Sequence, residues 1–215
     1  MPAGHADGRS HVSLGLHCPR VAVCGFGRCG SSMLMRMLAA GGLPTAPGAS
    51  PGSGEHASVE DALRAATPGT AVKLLDLKLA TENGINVDLS GEWSIVWLDR
   101  DPRWQAESFR KFARALLGLR LTVAETRRWR EGLERDRDPS VGWLADWGHP
   151  LLAMRYEAVL TDPHGQASLL AEHLGWAGLD VDAMARVVHV RSPRTLPDLA
   201  VELASADDGE PAPPR

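Results

Sequence analysis

The sequence predicts an α/β fold around a mainly parallel central sheet, and three observations predict it. Apolar runs of strand length (21–24, 71–77, 93–99 and 151–156) alternate with longer stretches of helical periodicity. Two Asp-Pro pairs, Asp101-Pro102 and Asp162-Pro163, each follow such a run and open a helix, with the aspartate as N-cap and the proline in the first turn. A glycine-rich turn joins the first strand to the first helix, at the end of the strand where ligands sit in sheets of this kind.

Each element has its own justification. Val21-Ala22-Val23-Cys24 is a buried strand, and Gly25, Gly27 and Gly30 interrupt it within six residues. Met33, Leu34, Met37 and Leu38 then recur at helical spacing until Gly41-Gly42 stops the helix. Residues 45–57 are too rich in Gly, Pro and Ser to be regular. Ser58, with Asp61 three residues on, caps a short helix. The strands 71–77 and 93–99 come next, then a long helix over 102–117 and an arginine-laden helix over 120–138. After the strand at 151–156, a helix runs from Asp162 to Gly175, and a last one spans 180–188. Residues 1–18 read as a mobile segment and 201–215 as a disordered tail, which leaves 19–200 as a single domain.

Composition narrows the class. A chain of 215 residues with 44% hydrophobic and 23% charged residues is ordinary for a globular domain. A net charge of −4 argues against a general nucleic-acid or membrane-surface binder, and no apolar run is long enough to span a bilayer. The three cysteines, Cys18, Cys24 and Cys29, crowd together without a CxxC pair, a poor framework for disulfides or zinc. They point to a reduced, cytoplasmic protein with no metal.

The glycine-rich turn carries the chemistry. Between a strand and a helix N-terminus, the backbone N–H groups of Gly27, Arg28, Cys29, Gly30, Ser31 and Ser32 converge on one point and suit an anion. The two outer glycines have the separation of a P-loop, but Ser31 stands where the P-loop requires lysine. That disfavours an ATP-handling kinase. The cation, Arg28, instead precedes Gly30 by two residues.

Arg28-Cys29-Gly30-Ser31-Ser32 resembles the first signature of the sulfotransferases, [RK]-S-G-[ST]-[ST]. The resemblance implies a P-loop NTPase-like sulfotransferase fold and a loop that wraps the 5′-phosphosulfate of 3′-phosphoadenosine 5′-phosphosulfate (PAPS). It also puts Arg28 opposite the transferred sulfuryl group. Cys29 departs from the usual hydroxyl residue. The family's second signature is an arginine ending a central strand with a serine eight residues later, both on the 3′-phosphate. Arg100 and Ser108 match it, and a guanidinium suits phosphate. Ser108 shares a helical stripe with Trp104 and Phe112 and should face inward with them. A third stretch, Met154 to Gly175, resembles a late strand–helix segment of the family and reads as structural.

The acceptor side is read from the same resemblance. Members use as base either a strand histidine, absent from Val72-Lys73-Leu74-Leu75-Asp76, or a glutamate in the segment after the first helix. Glu55 is the candidate base, a carboxylate partly desolvated by its neighbours, with His56 second. Lys73 is expected to touch the sulfuryl group, and late arginines, Arg191 and Arg194, to reach the cofactor phosphates. The expected activity is sulfuryl transfer from PAPS to a hydroxyl or amine of a small-molecule or carbohydrate acceptor. A non-catalytic nucleotide-binding relative is the alternative. Oligomeric state is not legible.

Overall fold

The computed structural model describes residues 19–50, 53–176 and 178–188. The segments at 1–18 and 201–215, and with them Arg191 and Arg194, lie outside the described residues. Among the described residues, four strands form one parallel sheet: β1 (Arg20–Gly25), β2 (Ala71–Leu75), β3 (Trp93–Asp99) and β4 (Leu151–Arg155), in the order β2-β1-β3-β4. Register pairs Val23 with Lys73 and with Val96, and Asp99 with Arg155.

Helices cover both faces. The first strand is buried on both sides, as a central parallel strand must be. Val21 and Val23 pack with Leu34, Met37 and Leu38 of α1 (Ser31–Ala40), and beyond them with α7 (Pro163–Leu174) and α8 (Val181–Arg186). Ala22 and Cys24 face the other way, into a core with Leu74, Ile95, Trp93 and Trp97. That second face is covered by α2 (Val59–Ala65), α3 (Leu77–Glu82) and α5 (Val123–Ala145). A long helix, α4 (Pro102–Leu116), pairs with α5, and a short one, α6 (Tyr156–Thr161), follows β4.

The capping chemistry holds. Ser58 accepts from the Asp61 N–H, Asp101 from the Arg103 N–H and Asp162 from the Gly165 N–H. Gly175 ends α7 in a left-handed conformation. Among the boundaries that differ from the sequence reading, three have a visible cause. The second strand stops at Leu75 rather than 77, because Asp76 turns left-handed and starts the six-residue α3. The fourth strand stops at Arg155, and Tyr156 already belongs to α6. Finally, α5 runs past 138 to Ala145 with Pro139 inside it. The Ser140 hydroxyl bonds back to the Asp136 carbonyl there, and Leu133 and Leu144 anchor both halves in the core. Tertiary burial overrides the proline. Among the described residues no helix is long and apolar enough to cross a membrane.

Candidate functional site

Parallel packing brings the carboxyl ends of β1, β2 and β3 side by side, so the loop Phe26–Gly30 lies between the chain leaving β2 and the chain leaving β3. The loop itself is tightly held. Gly25 approaches so closely that a Cβ there would lie 2.6 Å from the Leu98 carbonyl. Gly30 has φ 104°, and a Cβ on it would lie 2.3 Å from the Tyr156 ring. The buried side chain of Gln105 donates to the carbonyls of Gly27 (2.9 Å) and Phe26 (3.3 Å), which fixes the outward turn of the loop. Cys29 is buried beneath it, and burial pushes its thiol up to about 11 against the hydrogen bonds from Ser31. It packs the loop as a neutral thiol.

On the β3 side stand the predicted phosphate residues. Arg100 donates from Nη1 to the Arg28 carbonyl (3.1 Å), and its guanidinium lies 4.4 Å from the centre of the Tyr156 ring. Burial is the main cause that lowers its pKa. Its Nε is buried with no hydrogen-bond partner. Arg28, itself left-handed at φ 68°, donates from Nε to the Ser108 hydroxyl (3.4 Å) and lies over the Phe112 ring at 4.8 Å. Thus Arg28, Arg100 and Ser108 meet although up to 80 residues separate them. The inward stripe holds only in part: Ser108 and Phe112 are half-buried, but Trp104 is 61% exposed. It sits in the first turn of α4, beyond the cover of α5.

On the β2 side, the register that pairs Lys73 with Val23 turns its side chain to the α1 face. There its ammonium, 2% exposed, donates to the Ser32 hydroxyl (3.0 Å) and to Glu55 Oε1 (2.7 Å). Glu55 reaches this point because its loop packs onto α1: a Cβ on Gly54 would lie 2.9 Å from the Met35 side chain. The expected desolvation of the carboxylate is not what the structure has, since the Glu55 side chain is 56% exposed and pairs with Lys73. His56 is directed elsewhere, with Nε2 on the Pro47 carbonyl at 3.1 Å. Residues 28, 32, 55, 73, 100 and 108 therefore flank one loop, and His56 does not join them.

Three residues were not foreseen as parts of the site. Tyr156 packs between Gly30 and Arg100; its stretch read as structural because nothing local ties a late strand end to an early loop. Gln105 is flagged only by its place on α4, between Arg100 and Ser108. Asp76 comes directly after β2, and its carboxylate lies beside the loop, 3.7 Å from where a Cβ on Gly27 would be.

No family model matches the sequence, and no curated protein matches it. Solved structures do match in shape. The mouse sulfotransferase SULT7A1 complexed with PAP is 14% identical, with a TM-score of 0.51 over 79% of this chain. The present chain spans 62% of that protein's length. The sulfotransferase domain from the Synechococcus PCC 7002 olefin synthase is 16% identical, with a TM-score of 0.43 over 91% of this chain and 96% of that one. The likeness to the mouse protein is one of fold, and it agrees with the strand order and loop described above: the chain has the P-loop NTPase-like α/β fold of a sulfotransferase.

Proposed function

We propose that the protein transfers a sulfuryl group from PAPS to a hydroxyl or amine of a small-molecule or carbohydrate acceptor. The observation that carries this reading is the junction at Arg28. Its side chain reaches Ser108 and its carbonyl holds Arg100, which supports reading the loop and the Arg100/Ser108 pair as parts of one anion site. A nucleotide with phosphates at both the 5′ and 3′ positions matches such a two-part site better than a linear diphosphate does. PAP, adenosine 3′,5′-bisphosphate, is the ligand of the mouse structure.

The residues present fit that group. The loop N–H groups at the start of α1 and the Ser31 and Ser32 hydroxyls supply donors for the 5′ anion. Arg100, whose buried Nε is unsatisfied, supplies a planar donor set for the 3′-phosphate, with Ser108 beside it. Arg191 and Arg194 are proposed as further contacts. PAPS supplies an activated sulfuryl group on its 5′-phosphate.

In this reading the protein's residues divide the remaining work. Arg28 and Lys73 place positive charge where the leaving oxygen gains negative charge, which acts mainly in the transition state. Ser32 and Glu55 hold the Lys73 ammonium in place. Glu55, exposed on its other side, takes the acceptor's proton; His56 is second in line and requires its loop to turn. Turnover of labelled PAPS with a panel of phenols, sugars and peptides tests the activity. Calorimetry with PAP against ADP tests the site: PAP binds much more tightly if the reading holds, and equal affinity overturns it.

A further inference from the structure

The peptide unit that follows Arg100 is held from both sides. Sheet pairing in β3 ends at Asp99, opposite Arg155. The peptide between Arg100 and Asp101 has therefore left the strand ladder and has not yet entered α4, which begins at Pro102. Two distant side chains take over. Arg137 of α5 donates from Nη2 to the Arg100 carbonyl at 3.0 Å. Glu157 of α6 accepts from the Asp101 N–H through Oε1, also at 3.0 Å. A cation thus meets the carbonyl end of the peptide and a carboxylate its N–H end, and both bonds are of the stronger, charge-assisted kind.

Each holder is itself anchored. Arg137 Nε lies 2.9 Å from Asp99 Oδ1, near enough for an ion pair though not aligned for a hydrogen bond. Its neighbours about one turn away on α5, Leu133 and Ser140, are buried, which fixes the side of the helix from which it departs. Glu157 directly follows Tyr156, whose ring lies against the Arg100 guanidinium, and Val159 of the same helix is fully buried.

We propose that Arg137 and Glu157 are positioning residues for Arg100: by clamping the peptide between Arg100 and Asp101 they fix the backbone from which its side chain departs, and so aim the guanidinium. The proposal rests on the reading of Arg100 as the 3′-phosphate donor. The plane of that peptide sets the ψ angle of Arg100, and the β3 ladder sets the residues before it. With both ends of the peptide held, the Arg100 Cβ has one direction. Its Nη1 then reaches the Arg28 carbonyl at 3.1 Å, while Nε stays buried and without a hydrogen-bond partner. A donor fixed before the ligand arrives loses less freedom on binding. The clamp accordingly serves affinity for a 3′-phosphate, a group that ADP lacks.

Two measurements test the clamp. In the free protein, the buried Arg100 Nε–H should give a resolved 15N–1H resonance, assigned by its loss in Arg100→Ala. Arg137→Ala and Glu157→Ala should each move it toward the position of a free arginine. Glu157→Gln should not, because its amide oxygen still accepts from the Asp101 N–H. Calorimetry then compares PAP with ADP. Arg137→Ala should weaken PAP binding about three- to tenfold, the worth of one hydrogen bond, and leave ADP binding unchanged. Glu157→Ala should bind PAP more weakly than Glu157→Gln by a similar factor; both lack the charge, so their difference isolates the bond to the peptide. In an Arg100→Ala background, Arg137→Ala should add nothing, since the clamp acts through Arg100. An Arg100 resonance indifferent to both alanine variants overturns the clamp, as do losses shared equally by PAP and ADP, or losses that add to that of Arg100→Ala. If PAP binds the wild type no more tightly than ADP, the proposed function fails, and the Arg100 resonance decides the clamp alone. If Arg137→Ala does not fold, the comparison of Glu157→Ala with Glu157→Gln decides it, since both keep the Arg137–Asp99 ion pair.

Discussion

The two flanks of the glycine-rich loop are built from the same parts and arranged oppositely. Beyond β3, Arg100 donates to a carbonyl and lies over an aromatic face with the Glu157 carboxylate acting on it from nearby, and Arg28 reaches the Ser108 hydroxyl and the Phe112 ring. Beyond β2, the cation is already matched, with Lys73 paired to Glu55, and a carboxylate, Asp76, sits against the loop. A guanidinium in direct contact with a carbonyl and a ring, as Arg100 is, with its Nε unpartnered, keeps a donor for a ligand. A cation paired with a carboxylate offers less to a ligand in the ground state but, in the proposed reaction, would set an acid–base pair beside the reacting atoms. Under the proposed function the β3 flank would then serve affinity and the β2 flank rate.

The sharpest break of that contrast is Glu55→Gln. General-base assistance is worth roughly 10²–10⁴-fold, so kcat should fall by about that factor while PAP affinity stays unchanged. A phenol acceptor of low pKa should recover part of the loss. Unchanged kcat with weakened PAP binding would move Glu55 to the binding flank; if His56→Ala loses turnover instead, the base is His56.

Arg28 stands on the boundary. Its removal should lower kcat on the order of a hundredfold, because a preplaced cation acts where charge develops. Its contact with Ser108 adds a smaller loss of PAP affinity. Steady-state kinetics alongside calorimetry separate the two, and a near-normal kcat with only a raised KM would assign Arg28 wholly to the β3 flank.

Arg100→Ala belongs on the affinity side alone. Charge-assisted hydrogen bonds to phosphate are worth roughly 1.5–3 kcal/mol, so PAP affinity should drop about ten- to a hundredfold. ADP, without a 3′-phosphate, should be indifferent to the change. Equal losses for the two nucleotides would show that Arg100 only braces the loop through the Arg28 carbonyl.

The smallest effect is on stability. The folded-state pKa of Asp76, about 6, lies above the ordinary 3.8, so the ionised form is the disfavoured one. The protein is free of this penalty below pH 3.8 and acquires it as pH rises through about 6. Asp76→Asn should therefore stabilise the fold by about 1–3 kcal/mol at pH 8 and by little at pH 4. Denaturant titrations at both values check it. A variant equally stable relative to wild type at the two pH values would show that burial does not penalise this carboxylate.

Local chemistry determined much of this protein from its sequence alone. Alternating apolar runs and helical stripes give the parallel α/β order, since each period belongs to one backbone geometry. Caps such as Ser58, Asp101 and Asp162 act within four residues, so their roles were readable. The glycine turn with Arg28 and the Arg100–Ser108 spacing were legible for the same reason: each lies within one strand–turn–helix unit. The tertiary structure decided what depends on distant neighbours. Only the sheet register turns Lys73 toward Ser32 and Glu55, and only the order β2-β1-β3-β4 sets Tyr156 against Gly30. Burial against Leu133 and Leu144 carried α5 through Pro139. The turn of Asp76 toward Gly27 breaks its local preference for capping α3. A side chain's partner across the sheet is set by packing over the whole domain, and the residues beside it in sequence carry no record of it.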